Sequence, residues 1–247
     1  MPVHVRLNIL VLVCVASASS AAHADTAACQ PQDGSDACMK KCEAKSQESC
    51  AVLGIMYLRG QVGNKPDYTR AEPLLRGACS AEVALGCGGL GSLYGVQKKF
   101  KQTRPLFEKA CKMRDALSCE SLGGLILGAD GGKPPPSNLT ASTRKANVYY
   151  KRACELGAPT ACAFCAAFIV DKIVQGTAKE ALELYVKACS GGIGMACRQA
   201  ADFVMRDTPE SKELAATLDA PRLSADLLKR ACELGDTKAC ARASGSQ

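Results

Sequence analysis

The chain has 247 residues, of which 47% are hydrophobic and 22% are charged, with a formal net charge of +7. This composition is that of a folded protein and excludes wholesale disorder. Aromatic residues make up only 4% and tryptophan is absent, which favours closely packed short helices over a large aromatic core. The sequence suggests neither a basic run nor a stacking surface, so we expect the positive charge to be spread along the chain on a solvated surface and predict no nucleic-acid partner.

The first 24 residues have the features of a secretory signal peptide. Arg6 precedes an apolar stretch over 7–18, and Ala22-His23-Ala24 forms an A-x-A cleavage pattern before Asp25. The apolar stretch is too short to span a bilayer comfortably, and no other segment is suited to do so. We therefore predict cleavage between Ala24 and Asp25 and a secreted or periplasmic protein with a net charge of +6.

Cysteine spacing organises the remainder of the chain. Sixteen cysteines are present, and twelve of them form pairs separated by seven residues. Successive pairs begin 32 to 43 residues apart, a period typical of a helical solenoid. The pairs are Cys42 with Cys50, Cys79 with Cys87, Cys111 with Cys119, Cys154 with Cys162, Cys189 with Cys197, and Cys232 with Cys240.

The residues around each pair predict two helices joined by a tight turn. From the second pair onward, alanine precedes the first cysteine, and two apolar residues stand four and five positions before that cysteine, as on one helix face. Glycine follows three residues after Cys154, Cys189 and Cys232, where a left-handed helix cap favours it. Each pair is therefore predicted to join the end of one helix to the start of the next.

Disulfide formation is favoured over metal binding at these pairs. Zinc sites favour two to four residues between cysteines, and no histidine remains after residue 24, so we predict neither a metal nor a cofactor. In an exported protein the disulfide interpretation is preferred, and each closed loop contributes on the order of 2.5 kcal/mol in the chain-entropy model. Six such bonds would stabilise short helices that bury little area alone.

Three mature cysteines stand outside this pattern. A bond between Cys29 and Cys38 would tie down an N-terminal cap, predicted at 25–41, but this pairing is left open. Cys165 stands where Leu53 and other leucines occur in earlier repeats, and is predicted to be a buried free thiol. The repeat region is predicted at 42–243, with insertions near 128–140 and 206–221 and a tail at 244–247. A short extra helix is expected within the second insertion.

A weaker pattern recurs in the second helices. Leucine-glycine pairs stand at 53–54, 90–91 and 122–123, at one offset from the second cysteine, and small residues replace the glycine later in the chain. Glycine there is predicted to let two helices approach closely. Tyr57 and Tyr94 are candidates for a binding groove, although the pattern favours a core position for both.

The segments KRACELGAPTAC at 151–162, KRACELGDTKAC at 229–240 and SCAVLGIMYLRG at 49–60 resemble Sel1-like repeats. The paired cysteines resemble the Helicobacter cysteine-rich branch of that family, over residues 36–243. The resemblance implies an all-α fold, a right-handed α/α solenoid of TPR-related helix pairs with a concave inner face. Irregular periods, a degenerate fourth and fifth second helix and an early end after Cys240 depart from the family pattern and leave the curvature open.

The resemblance also raises an enzymatic alternative, because relatives in that branch are linked with penicillin binding and slow β-lactam hydrolysis. Ser142 and Lys145 form an S-x-x-K sequence, but its S-D-N and K-T-G companions are absent. Without a mature histidine, Ser-His and Cys-His nucleophile pairs are excluded.

We therefore predict an exported scaffold or adaptor whose concave face binds a protein, a peptide or a cell-wall fragment. Weak β-lactamase or penicillin-binding activity is the alternative. A third interpretation is an assembly factor of the mitochondrial intermembrane space, against which the apolar run ending in A-x-A argues.

Overall fold

The computed structural model describes residues 27–128 and 139–243. Within these two ranges the regular structure consists of thirteen α-helices and one 3₁₀ turn, without a strand, and none of these helices is long and apolar enough to cross a membrane. The predicted signal peptide at 1–24, its cleavage site at Ala24/Asp25, residues 129–138 of the first insertion and the tail at 244–247 lie outside the described residues.

Twelve helices form six consecutive pairs, in which each first helix packs on its own second helix and, after the first pair, on that of the preceding pair. The first helices are α1 (Ser35–Glu43), α3 (Tyr68–Ser80), α5 (Phe100–Lys112), α7 (Leu139–Glu155), α9 (Ala178–Ser190) and α12 (Ala220–Glu233). The second helices are α2 (Gln47–Leu58), α4 (Ala84–Val96), α6 (Ala116–Ile126), α8 (Pro159–Val170), α10 (Gly194–Val204) and α13 (Thr237–Ala243). This arrangement confirms the predicted right-handed α/α solenoid.

The turn inside each pair has the same backbone conformation throughout. The residue three positions after the first cysteine has a positive φ in all six repeats, between 61° and 96°. Glycine occupies this position in the last three repeats, as predicted, whereas Lys45, Glu82 and Arg114 adopt it in the first three. The N–H of the residue that follows then donates to the carbonyl of the residue before the first cysteine. In the second repeat, for example, Val83 N–H donates to Ala78 O at 3.0 Å.

A disulfide joins the two helices of every pair across this turn. The six regular pairs have Cα–Cα separations of 4.4–4.7 Å, inside the range that a disulfide bridges. They link Cys42 to Cys50, Cys79 to Cys87, Cys111 to Cys119, Cys154 to Cys162, Cys189 to Cys197, and Cys232 to Cys240.

The remaining cysteines of the described ranges lie outside the six regular pairs. The structure joins Cys29 to Cys38, the pairing that the sequence left open, with Cα atoms 5.2 Å apart. Cys165 is 5% exposed and is the one unpaired cysteine of 27–128 and 139–243. Its position agrees with the predicted buried free thiol.

Glycines of the second helices allow successive repeats to pack closely. A Cβ atom at Gly54 would lie 2.7 Å from Leu75, and one at Gly123 would lie 2.8 Å from the ring of Tyr150. Both contacted residues belong to the first helix of the following pair. The predicted close approach at the leucine-glycine pattern is therefore confirmed.

Basic side chains link adjacent repeats at the ends of their first helices. Lys187 Nζ donates to Cys154 O at 2.9 Å, and Lys109 Nζ donates to Cys79 O at 3.1 Å. Each lysine stands two positions before a first cysteine and reaches the preceding first helix. Such a cation satisfies a terminal carbonyl and favours the negative end of the helix dipole.

The two ends of the repeat region differ from the regular pattern. The first repeat begins at Ser35, within the segment predicted as an N-terminal cap. Near the other end, the extra helix expected in the second insertion is present as α11 (Pro209–Ala215), capped by Thr208. The buried Ser211 hydroxyl donates to Phe203 O at 2.9 Å and so attaches α11 to α10.

Candidate functional site

Two surface clefts combine an apolar floor with a basic rim. The first, which we name the lysine cleft, has a volume of about 890 Å³. It is lined by Lys98, Lys99, Phe100, Lys101, Gln102, Arg104, Pro105, Glu108, Leu122, Leu125 and Ile126. The second, the insertion cleft, has a volume of about 950 Å³ and lies between the α8–α9 connection, the end of α10 and the start of α11.

The lysine cleft forms where the connection after α4 meets the start of α5 and the end of α6. A φ of 58° at Lys98 turns the chain sharply, so that Lys99 already caps the N-terminus of α5. The turn is closed by N–H donation from Lys98 to Gly95 O at 2.9 Å and from Lys99 to Tyr94 O at 2.8 Å. This geometry places three lysines at one edge of the cleft.

The floor of the lysine cleft is continuous with the protein core. Leu122, from the leucine-glycine pattern of α6, is 2% exposed and shares a hydrophobic cluster with Phe107. Phe100, Leu125 and Ile126 are only partly buried and leave apolar surface facing the cleft. A ligand with an apolar side chain would bury this surface on binding.

The N-terminus of α5 is electrostatically unbalanced. Its capping residue makes no side-chain hydrogen bond, and its first turn contains no acidic residue. Asp67, Thr177 and Asp219 cap the first helices α3, α9 and α12, whereas the second helices α4, α8 and α10 also begin without a side-chain cap. Lysines at this end add to the positive helix dipole instead of neutralising it, so the fold itself gains nothing from their charge there.

Few acidic groups compensate the cations of this cleft. Arg104 pairs with Glu108, the one acidic residue of the lining, with Nε and Oε1 2.9 Å apart. The Lys99 ammonium lies 5.2 Å from the centre of the Tyr94 ring. Within the described ranges, Lys98 and Lys101 form no ion pair, and both are exposed. These two ammonium groups are available to an anionic ligand.

The expectation that the positive charge is spread along the chain, without a basic run, is wrong. Residues 98–128 contain seven basic and three acidic residues, and residues 139–176 contain five basic and two acidic residues. These two ranges account for the whole net charge of +7, because the other residues sum to zero. The sequence signal for this clustering is KKFKQTR at 98–104, a short basic run around Phe100.

The insertion cleft is more fully paired. Lys172 Nζ lies 2.9 Å from Glu210 Oε1, which ties the end of the fourth repeat to α11. Arg144 Nε donates to Ile173 O at 2.9 Å. Because two of its rim cations already bind groups of the protein, this cleft offers less free positive charge than the lysine cleft.

The cysteines predicted as disulfide partners lie away from both clefts. In each of the first five pairs the second cysteine is buried in the helix seam, with an exposure of 7% at Cys50 and 0% at Cys162 and Cys197. Among the described residues, no paired cysteine lines the lysine cleft or the insertion cleft. These cysteines therefore hold the helix pairs together and offer no group to a ligand in either cleft.

The tyrosines considered for a groove belong to the core. Tyr57 is 4% exposed and Tyr94 is 7% exposed, in agreement with the favoured core position. The partly buried Tyr94 hydroxyl donates to Glu72 Oε1 at 2.9 Å. The hydrogen bond from Tyr94, with that from Arg76, holds the pKa of Glu72 below its ordinary value.

Ser142 and Lys145 lie near the start of α7, one turn apart. Ser142 is half-buried and Lys145 is exposed. In the part of the chain that the structure describes, no hydrogen bond joins the two side chains, and neither lines the lysine cleft or the insertion cleft. A catalytic role for this pair stays a prediction.

Outside the two clefts, the described residues include few buried groups that could react or bind a ligand. Burial raises the pKa of the Cys165 thiol to about 12, which keeps it protonated and unreactive at neutral pH. No group of three or more His, Cys, Asp or Glu side chains within 27–128 and 139–243 is arranged to hold a metal ion.

No family model matches the chain, and no curated protein matches it. Solved structures do share its fold. A protective antigen of uropathogenic Escherichia coli with an SLR fold is 19% identical with a TM-score of 0.64, over 86% of this chain and 43% of that one. This chain thus spans less than half the length of that protein.

Two further structures give the same result. A Sel1 repeat protein from Oxalobacter formigenes is 21% identical with a TM-score of 0.61, over 80% of this chain and 76% of that one. An immunity protein from Pseudomonas aeruginosa is 16% identical with a TM-score of 0.53, over 81% and 73% of the respective chains. The chain is therefore similar in fold to Sel1-repeat proteins, which have a TPR-like architecture.

Proposed function

We propose that the chain is an exported repeat scaffold that binds a segment of another protein in the lysine cleft. The observation that carries this proposal is the cleft itself, in which a partly open apolar floor lies beside cations that the fold leaves without partners. Clefts of several hundred Å³ with apolar linings and a few polar groups are typical binding sites.

Export is supported by two independent features. The seven disulfides of the described chain indicate an oxidising compartment, because reducing compartments keep thiols unpaired. The first 24 residues have the composition of a cleaved signal peptide, which would begin the mature chain at Asp25. Mass spectrometry of the exported protein tests this directly, and a retained N-terminus or free thiols at the paired positions would contradict export.

Binding is supported by the covalent link between the helices that form the cleft walls. The cleft lies between α5 and α6, which the Cys111–Cys119 bond joins, and the preceding connection follows the pair joined by Cys79–Cys87. A site held in one geometry before binding loses little conformational entropy when its ligand arrives. Protein segments are the ligands that repeat solenoids commonly accommodate on their extended surfaces.

Site-specific photo-crosslinking in the native host tests the scaffold proposal. A benzophenone side chain replaces Phe100 in one variant and Lys229, an exposed residue of α12, in the control. We expect one defined protein to be captured from position 100 and not from position 229. The same capture from both positions, or none from position 100, would contradict a protein-binding role for the cleft.

A further inference from the structure

We infer that the lysine cleft recognises an acidic peptide segment with an apolar anchor residue. The acidic side chains would lie beside Lys98, Lys101 and the N-terminus of α5, and the anchor would lie on Leu125 and Ile126. This inference rests on the proposed scaffold function and adds the chemistry of the partner.

Charge complementarity selects an acidic segment. Residues 98–128 carry a net charge of +4, the highest of any repeat, and the cleft lining contains four cations against one carboxylate. That carboxylate, on Glu108, already pairs with Arg104. An incoming acidic group would therefore meet cations and few competing anions.

The start of α5 is a second feature, beside the lysines, that favours an anionic ligand. Its first N–H groups have neither a side-chain cap nor an acidic neighbour, although helix N-termini are stabilised by negative charge. A carboxylate from the ligand placed between these N–H groups and the flanking ammonium groups would supply the missing cap. The uncapped helix end and the unpaired lysines thus favour the same ligand chemistry.

The apolar floor selects a peptide rather than a purely ionic ligand. Phe100, Leu125 and Ile126 are partly exposed around the buried Leu122, and the volume of about 890 Å³ accommodates a large aliphatic side chain with its neighbouring residues. A polyanion without apolar groups would leave this surface in water and gain nothing from it. An acidic segment carrying leucine or phenylalanine satisfies both halves of the cleft.

Fluorescence anisotropy on the mature, disulfide-bonded chain tests this inference. The probe is a short labelled peptide with glutamates on both sides of a central leucine pair, compared with peptides in which glutamine replaces glutamate or serine replaces leucine. We expect the parent peptide to bind most tightly, with an affinity that falls as salt concentration rises. Binding of the serine peptide with equal affinity would overturn the anchor, and equal binding of the glutamine peptide would overturn the acidic specificity.

A charge-matched pair of variants assigns the binding to the cleft. Lys98→Gln with Lys101→Gln removes two cleft charges, whereas Lys229→Gln with Lys238→Gln removes two exposed charges from the last repeat. We expect about a tenfold loss of affinity in the first variant and little change in the second. Equal losses would show unspecific charge attraction and overturn the inference, and circular dichroism verifies that both variants are folded.

Two outcomes separate this inference from the scaffold function. If position 100 captures a defined protein whose crosslinked segment is neither acidic nor apolar, the scaffold stands and the acidic specificity is overturned. If an oligonucleotide or an anionic vesicle binds more tightly than every peptide and loses this binding in the Lys98→Gln, Lys101→Gln variant, the cleft serves another class of partner and both proposals are overturned.

Discussion

The ring of Phe107 in α5 lies against Gly91 in α4, so that a Cβ atom at position 91 would stand 2.8 Å from two ring carbons. Gly91→Ala would therefore force the two repeats apart at their shared seam. We expect a loss of about 1 to 3 kcal/mol in the free energy of unfolding, since overpacking outweighs the better helix propensity of alanine. Urea unfolding measures this loss, in a buffer without oxidant or reductant so that the disulfides stay intact.

Gly95→Ala is the matched control for that variant. Gly95 belongs to the same helix, but its added Cβ would lie 3.8 Å from Thr103 Cγ2, an ordinary contact distance. We expect no loss of stability, with a gain of up to about 1 kcal/mol from helix propensity. If both variants were destabilised alike, helix packing at position 91 would not be the cause.

The link between Lys187 and the preceding repeat predicts a salt-sensitive contribution to stability. Its ammonium group lies 2.9 Å from Cys154 O, near the C-terminus of α7. Lys187→Met keeps an unbranched side chain but removes the charge, and we expect a loss of about 0.5 to 1 kcal/mol that diminishes at high salt. Lys179→Met, at an exposed position of the same helix, should change stability much less. A loss for Lys187→Met that does not respond to salt would point to packing instead of charge.

We predict that the Glu72 carboxylate makes a pH-dependent contribution to the free energy of unfolding, at the contact between α3 and α4. Its pKa is lowered by the hydrogen bonds from Tyr94 and Arg76, so the carboxylate stabilises the fold above its ordinary pKa of 4.5. This contribution is lost as the pH falls through the lowered folded-state pKa, because the folded protein must then bind the proton too. Glu72→Gln should cost about 0.5 to 1 kcal/mol at pH 7, after allowance for solvent screening, and less in acid.

The comparison of unfolding free energies across pH checks this assignment. Glu183→Gln, at an exposed position of α9, serves as the control and should follow the parent protein at every pH. A constant difference between the parent protein and Glu72→Gln from neutral to acidic pH would mean that ionisation of Glu72 does not contribute.

Much of the fold is predictable from the sequence because its constraints are local. A cysteine pair with seven intervening residues fits two helices and one tight turn, and each alanine before a first cysteine marks a closely packed position, such as Ala78 with 0% exposure. The left-handed backbone conformation three residues after the first cysteine is predictable from the sequence only where glycine occupies that position. At Lys45, Glu82 and Arg114 the same conformation is imposed by the surrounding helix pair, which no single residue type reveals.

The candidate site was less predictable because its parts are distant in sequence. Lys98 and Ile126 line one cleft, although 27 residues lie between them in the sequence. Their proximity depends on how α5 packs against α6, and the sequence pattern specified the pairing of helices without specifying which outer faces remain uncovered. The sequence shows a lysine, Lys99, at the N-cap of α5, where a capping side chain is missing. Whether this missing cap matters for binding depends on the cleft beside it.

The Cys165 thiol should be inert in the folded protein. Burial raises its pKa from an ordinary value of 9.0 to about 12, so its contribution to stability is complete below pH 9 and is lost as the pH rises toward 12. We expect no alkylation of the native mature chain at pH 8 and one equivalent per chain after denaturation without reductant. Rapid labelling of the native protein would show that the thiol is accessible.

The Cys111–Cys119 bond connects stability to binding in the lysine cleft. Replacing both cysteines by serine should lower the free energy of unfolding by about 2 to 3 kcal/mol, because the unfolded chain regains the freedom of a closed loop of nine residues. The walls α5 and α6 should then move more freely, and the acidic probe peptide should bind more weakly even at temperatures where the variant is folded.

The matched control replaces Cys232 and Cys240, which join the last pair far along the chain from the cleft. It should lose stability with little change in affinity, whereas equal losses of affinity in the two variants would contradict a local preorganising role for the Cys111–Cys119 bond.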